Sequence, residues 1–303
     1  MRRTLQLTAA FLITAFLFSG CGAVQDHAFA EAQETKMGIQ IETVSTGSFS
    51  MDYFRFGHGE DTLVILPGLS VQSVMGLADA VADAYGSFAD AFTVYLFDRR
   101  KELPAVYPVR AMAEDTAAAF QALGLRDVFL FGASQGGMMA MEIALRHPEL
   151  VRKLALGSTA SRVEDARFGN IQTWIRLAAE GDPAGLYLAF GEAIYPVSVF
   201  EQSRALLLDA AKSATEEDLR RFIILAEGLK GFDVTEELWK IDCPVLVTGA
   251  GDDRVLGGDA AVLIKEKLPD RPENLLRMFD GYGHAAYDLA PDYKAELQAF
   301  FLA

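Results

Sequence analysis

The chain has 303 residues, 51% of them hydrophobic, with 42 acidic against 27 basic residues and a formal net charge of −15. That balance, with no extended basic patch, argues against nucleic acid as a partner. Two cysteines are too few for a disulfide framework, and there is no internal repeat or low-complexity tract.

Met1-Arg2-Arg3 is positively charged, and Leu5 to Phe18 is mostly apolar but short for a membrane span, which predicts a signal peptide over residues 1–20. Phe18-Ser19-Gly20-Cys21 resembles the lipobox of bacterial lipoproteins, in which the cysteine becomes the lipidated first residue. Ser19 and Gly20 fit that pattern, while Phe18 stands where leucine is usual. Ordinary secretion, with cleavage after Ala28-Phe29-Ala30, and an uncleaved anchor are the competing readings. All three place the chain outside the cytoplasm. The first makes it a membrane-anchored lipoprotein, held through Cys21 on the outer side of the cytoplasmic membrane. Residues 21–36 are polar and alanine-rich and are expected to form a flexible tether.

The remaining stretch, 37–303, suits one catalytic domain with an insertion. Leu63–Leu66, Phe92–Phe97, Val128–Phe131, Leu154–Leu156 and Val245–Val247 are short apolar runs, the pattern of strands buried on both faces of a parallel sheet, and Ile241–Gly249 and Leu275–Phe279 as a whole read as strands. Helical patterns at Met112–Leu123 and Met138–Arg146 separate some of them, and Gly57-His58-Gly59 is expected to be a hairpin turn. From about 162 to 236 the alternation stops and four helical segments follow: Ile171–Glu180, Ala184–Ile194, Ser203–Ala211 and Glu216–Gly228. Their aromatics (Phe168, Trp174, Tyr187, Phe190, Tyr195, Phe200, Phe222) fit packing against the core, with some available to line a pocket. Cys243, beside Pro244 at a strand start, fits as a small structural residue.

Gly132-Ala133-Ser134-Gln135-Gly136-Gly137 joins a predicted strand to a predicted helix. A sharp strand-to-helix turn needs small neighbours, and a serine at its centre has the pattern of a nucleophile elbow. An acid loop (Asp252, Asp253) and then His284 follow, each just past a predicted strand, where ligand sites lie in open α/β sheets. Among four histidines, His27 lies in a polar stretch, His58 in the expected turn, and His147 at a helix end where it caps carbonyls. His284 is therefore the candidate base. No cluster has metal-ligand spacing and no phosphate-binding glycine loop is present, so neither metal nor cofactor is expected.

With these pieces, Leu63-Val64-Ile65-Leu66-Pro67-Gly68, Phe97-Asp98-Arg99-Arg100, Pro148-Glu149-Leu150-Val151 and Gly281-Tyr282-Gly283-His284, the sequence from Met37 onward resembles the α/β-hydrolase superfamily. The resemblance implies an α/β fold with a mostly parallel central sheet flanked by helices, and a helical cap inserted at about 162–236. It implies Ser134 as nucleophile, His284 as base, and an aspartate orienting the imidazole. Asp253 opens an Asp-Arg-Val-Leu string similar to the family's segment after the catalytic acid and is favoured over Asp252. The resemblance also implies an oxyanion hole from the main-chain N–H of Gln135 and of Leu69, with Ser70 a further candidate or a loop cap. Pro67 stands where a histidine is common, and its fixed φ is the substitute available.

Relatives such as haloalkane dehalogenases and epoxide hydrolases carry aspartate at the elbow. Serine there implies an acyl-enzyme, and hence an ester, lactone, thioester, amide or carbon–carbon bond next to a carbonyl; an apolar cap favours a small, hydrophobic substrate. The expectation is a carboxylesterase-like serine hydrolase. Aminopeptidase, thioesterase, lactonase or cofactor-free haloperoxidase activity, and a non-catalytic ligand-binding role, are the alternatives.

Overall fold

The computed structural model describes residues 38–303; the expected leader, Cys21 and the tether lie outside the described residues. One sheet runs in the order β1-β2-β4-β3-β5-β6-β7-β8. Its strands are β1 (Ile41–Ser45), β2 (Ser50–Phe56), β3 (Asp61–Leu66), β4 (Phe92–Arg100), β5 (Val128–Ala133), β6 (Val151–Gly157), β7 (Val245–Gly249) and β8 (Leu275–Met278). β2 is antiparallel to both β1 and β4, and every other neighbouring pair is parallel. The helices are α1 (Ala78–Ala84), α2 (Val109–Ala122), α3 (Gln135–Arg146), α4 (Phe168–Ala179), α5 (Pro183–Ile194), α6 (Val197–Ala211), α7 (Glu216–Glu227), α8 (Ala260–Lys267), α9 (Ala286–Leu289) and α10 (Tyr293–Leu302).

Alternate residues of a strand point to opposite faces, and here both faces are covered. Val64 and Leu66 join one core with Met112 and Phe120 of α2 and Met139 of α3. Leu63 and Ile65 join the other, with Val81 of α1 and Leu297 and Phe301 of α10. Two buried faces are why β3 and β5 are continuous apolar runs rather than alternating ones. Between the end of β6 and the start of β7 the chain contributes no strand to the sheet; it carries α4 to α7 instead.

Several local expectations shift. β7 begins at Val245, not Ile241, because Pro244 has no N–H to give a ladder and the Val245 N–H is taken by Asn274 Oδ1 at 3.0 Å. α6 begins at Val197 rather than Ser203: Pro196 stands before it at φ −55°, and its carbonyl accepts from Phe200 N–H at 2.9 Å to close the first turn. Gly57-His58-Gly59 is no hairpin turn. It links β2 to β3, which are separated in the sheet by β4, and His58 N–H donates to Ala89 O at 2.9 Å.

β5 passes into α3 through one residue, Ser134, at φ 52° and ψ −121°. Such a conformation costs a non-glycine residue about 1–3 kcal/mol and persists only where its surroundings hold it. Ser134 N–H donates to Gly157 O at 2.9 Å, and Ser134 O accepts from Thr159 Oγ1 at 2.7 Å. The turn is also closed sterically. A Cβ on Gly136 would lie 2.0 Å from Leu66 O, and one on Gly132 2.4 Å from Gly136 O, both backbone atoms. Gly136→Ala should therefore lower unfolding free energy in urea by about 2 kcal/mol or more, whereas Gly76→Ala, whose Cβ would meet nothing within 4 Å, should stay within about 0.5 kcal/mol of wild type.

Candidate active site

Three loops at the C-terminal ends of the strands bring Ser134, Asp253 and His284 together. His284 Nε2 lies 3.0 Å from Ser134 Oγ, and His284 Nδ1 lies 2.8 Å from Asp253 Oδ2. All three are buried. An ionised carboxylate only accepts, so Nδ1 carries the imidazole proton and donates to Asp253, which leaves Nε2 to accept from the serine hydroxyl.

The acid is held from its other side. Asp253 Oδ1 accepts from Val255 N–H at 2.8 Å and Leu256 N–H at 3.1 Å. Burial by itself raises this carboxyl's pKa. The imidazole beside it, and the two amides, outweigh burial and hold it below the ordinary value. Asp252 does separate work. It accepts from Gly281 N–H at 2.9 Å and Gly283 N–H at 3.2 Å, in the loop that carries His284. That loop reciprocates: Asp280 Oδ1 accepts from Gly251 N–H at 2.7 Å.

Gln135 is the first residue of α3, and the opening N–H groups of a helix have no partner within it. With the helix dipole behind them they favour negative charge beside Ser134. Leu69 is buried in the loop after β3 and shares a pocket with Ser134 and His284. Ser70 Oγ donates instead to Gln72 O at 2.7 Å, so its hydroxyl closes the loop. The Pro67 carbonyl accepts from Arg99 Nη2 at 2.9 Å. Arg99 also donates to Gln135 Oε1 at 2.9 Å, and Gln135 Nε2 donates to Leu225 O of α7 at 2.7 Å. Burial draws the Arg99 guanidinium down to about 10.

Sequence reasoning gave no role to Arg99, quoted only within Phe97-Asp98-Arg99-Arg100, and did not single out Gln72. Two arginines end β4, and only the structure tells which turns inward. Arg100 turns to Asp115, at 3.4 Å.

The pocket above Ser134 is apolar and narrow, about 20 Å³. α4 and α5 supply Ile171, Trp174, Phe190 and Ile194, and the acid loop supplies Val255 and Leu256. Trp174 and Phe190 meet edge-to-face with centroids 4.6 Å apart. Tyr187 reaches Gln72 instead, and Phe222 packs behind Phe190 at 6.0 Å. His147 lies 2.9 Å from Glu114, and His58 is exposed near Asp90. Burial pushes the Cys243 thiol up to about 11, which makes it a poor nucleophile at neutral pH. Among the described residues, no group of three acidic, histidine or cysteine side chains is arranged to hold a metal.

A family model described as alpha/beta hydrolase fold matches residues 61–291, a span running from β3 past His284. The chain belongs to the α/β-hydrolase family. Among curated members, it is 25% identical over 250 residues to an Agrobacterium fabrum protein named "Putative carbamate hydrolase RutD", an alignment spanning 80% of this chain and 93% of that one. The fold of MGS-M2, an α/β-hydrolase enzyme from a Medee basin deep-sea metagenome library, superposes with a TM-score of 0.76 at 18% identity, covering 87% of this chain and 98% of that one. The crystal structure of the enol-lactonase from Burkholderia xenovorans LB400 gives 0.72 at 15% identity, covering 86% and 100%.

The depressed Asp253 carboxyl gives this α/β-hydrolase a defined acid response. Its folded pKa lies below the unfolded value of about 3.9, so its ionised form stabilises the fold above about pH 4, and that stabilisation is lost as pH falls through the folded value. Urea unfolding of wild type and Asp253→Asn should differ near neutral pH and converge in the acid limb. A gap that stays constant with pH would count against this assignment.

Proposed function

We propose that this protein is a serine hydrolase that cleaves a carboxylic ester of a small, hydrophobic acyl group through an acyl-enzyme on Ser134. One observation carries the reading: a buried Ser134–His284–Asp253 relay opens onto a pocket whose remaining walls are apolar. A serine hydroxyl is a weak nucleophile at its own pKa, and here an imidazole is within reach of its proton.

In the proposed sequence, Ser134 Oγ attacks the acyl carbon while His284 Nε2 takes the hydroxyl proton. Asp253 stabilises the imidazolium through Nδ1–H. The N–H groups of Gln135 and Leu69 hold the developing oxyanion. His284 then protonates the departing alkoxide, and water repeats the cycle on the acyl-enzyme with the same base. No lysine or arginine lines the pocket, which favours an uncharged acyl group.

A carbamate is the second reading, supported by the name that the RutD-like relatives carry. The same addition chemistry applies, with nitrogen on the acyl carbon. Thioesterase, lactonase, aminopeptidase and haloperoxidase activities use the same relay and are separated from the ester by substrate series. A non-catalytic binding role is separated by labelling.

p-Nitrophenyl esters should be turned over with an optimum among the shortest acyl chains, and phenyl carbamates more slowly. Ser134→Ala should lower kcat/KM by about 10⁴-fold or more. Absence of both ester turnover and fluorophosphonate labelling at Ser134 would sink the hydrolase reading in favour of a binding protein.

We also propose that the enzyme works outside the cytoplasm, held at a membrane by lipid on Cys21. The support is the basic, apolar and lipobox-like succession of Met1 to Cys21, followed by an alanine-rich tether. Cys21→Ser should move the protein from the membrane to the soluble fraction on cell fractionation. Unchanged retention would count against the anchor.

A further inference from the structure

The loop after β3, residues 67–73, is gripped from two sides, and both grips lead to the same cap helix. On the core side, Arg99 Nη2 donates to Pro67 O and to Gln135 Oε1, both at 2.9 Å, and Gln135 Nε2 goes on to Leu225 O in the last turn of α7 at 2.7 Å. The amides of Gly228 and Leu229 bond to Ile224 O and Ala226 O, so the Leu225 carbonyl is taken by the glutamine.

On the cap side, Gln72 Nε2 donates to Ser213 O at 3.3 Å and to Asp218 Oδ2 of α7 at 3.4 Å, and Gln72 Oε1 accepts from Tyr187 of α5 at 3.0 Å. A third tie closes the ring. Ser73 Oγ donates to Asp98 Oδ2 at 2.5 Å, and the other oxygen of Asp98 pairs with Arg221 of α7.

We propose that the cap is a working part of the oxyanion hole, with Gln135, Arg99 and Gln72 as positioning residues that hold the two main-chain donors in place only when α7 is seated. The inference rests on the hydrolase reading above and deepens it. The donor at Gln135 carries its own side-chain tether to α7. The donor at Leu69 sits between the Pro67 grip and the Gln72 grip. With α7 seated, both donors keep the geometry that a developing oxyanion needs.

The test uses the whole protein, with each preparation titrated for active Ser134 by fluorophosphonate. Gln135→Leu should lower kcat per titrated site for p-nitrophenyl acetate by about 10- to 100-fold, with KM within about two-fold of wild type. The rate of phosphonylation, which also builds charge on an oxygen in the hole, should fall in parallel. Gln72→Ala, at a half-buried position, should lower kcat by about 10-fold, and the double variant should lose less than the product of the two.

Unchanged kcat per active site with only a lowered Tm would reduce these residues to fold stabilisers and overturn the inference. So would effects that multiply independently. If Gln135→Leu does not fold, Gln72→Ala decides the matter by the same kcat readout. If wild type turns over no ester yet is phosphonylated, the ester assignment falls while the phosphonylation rates still judge the coupling. If Ser134 is not labelled at all, both fall together.

Discussion

The site depends on backbone lying against backbone where β5 turns into α3. Gly136 approaches Leu66 and Pro67 so closely that no side chain fits between them. That contact seats the first turn of α3 against the loop after β3, the two segments that carry the proposed oxyanion donors. Ser134 is then carried at a positive φ, with its hydroxyl projecting from the turn toward His284. Its conformation is held by hydrogen bonds to Gly157 at the end of β6 and to Thr159 just past it. The sheet's two hydrophobic cores are large enough to absorb such a local cost.

The buried polar side chains of the relay are linked to one another. Asp253, His284 and Ser134 share two hydrogen bonds in a medium from which water is largely excluded, where each is electrostatically stronger than on a surface. Arg99 is buried beside Asp98 and spends its guanidinium on two oxygen acceptors. The pocket itself is apolar. The polar side chains in its lining are Ser134 and His284.

The α/β-hydrolase fold was legible because its strands are buried on both faces and its turns demand particular residues. Ser134, Asp253 and His284 were legible as candidates because each follows an apolar run and their chain order is informative. The bracing around them was not. Gln135 meets Leu225 at a separation of 90 residues, and Gln72 meets Asp218 at 146. Such contacts leave no periodicity or spacing in the chain. Asp98 and Arg99 were visible as charges at the end of an apolar strand, but their inward direction is set by partners on α7 and α3. The shift of β7 to Val245 has the same character, since Asn274, which takes the Val245 amide, is a neighbour only in the folded protein.

The reciprocal bonds between the acid loop and the histidine loop make the shapes of the two loops interdependent. Asp252 serves Gly281 and Gly283, and Asp280 serves Gly251, so neither loop keeps its shape alone. Lengthening or shortening one leaves the other with unsatisfied amides and shifts the imidazole relative to its carboxylate. The two segments, some thirty positions apart, thus hold their shape as one unit. A chimera exchanging one loop without the other would lose alignment between Asp253 and His284 while keeping every residue of the relay.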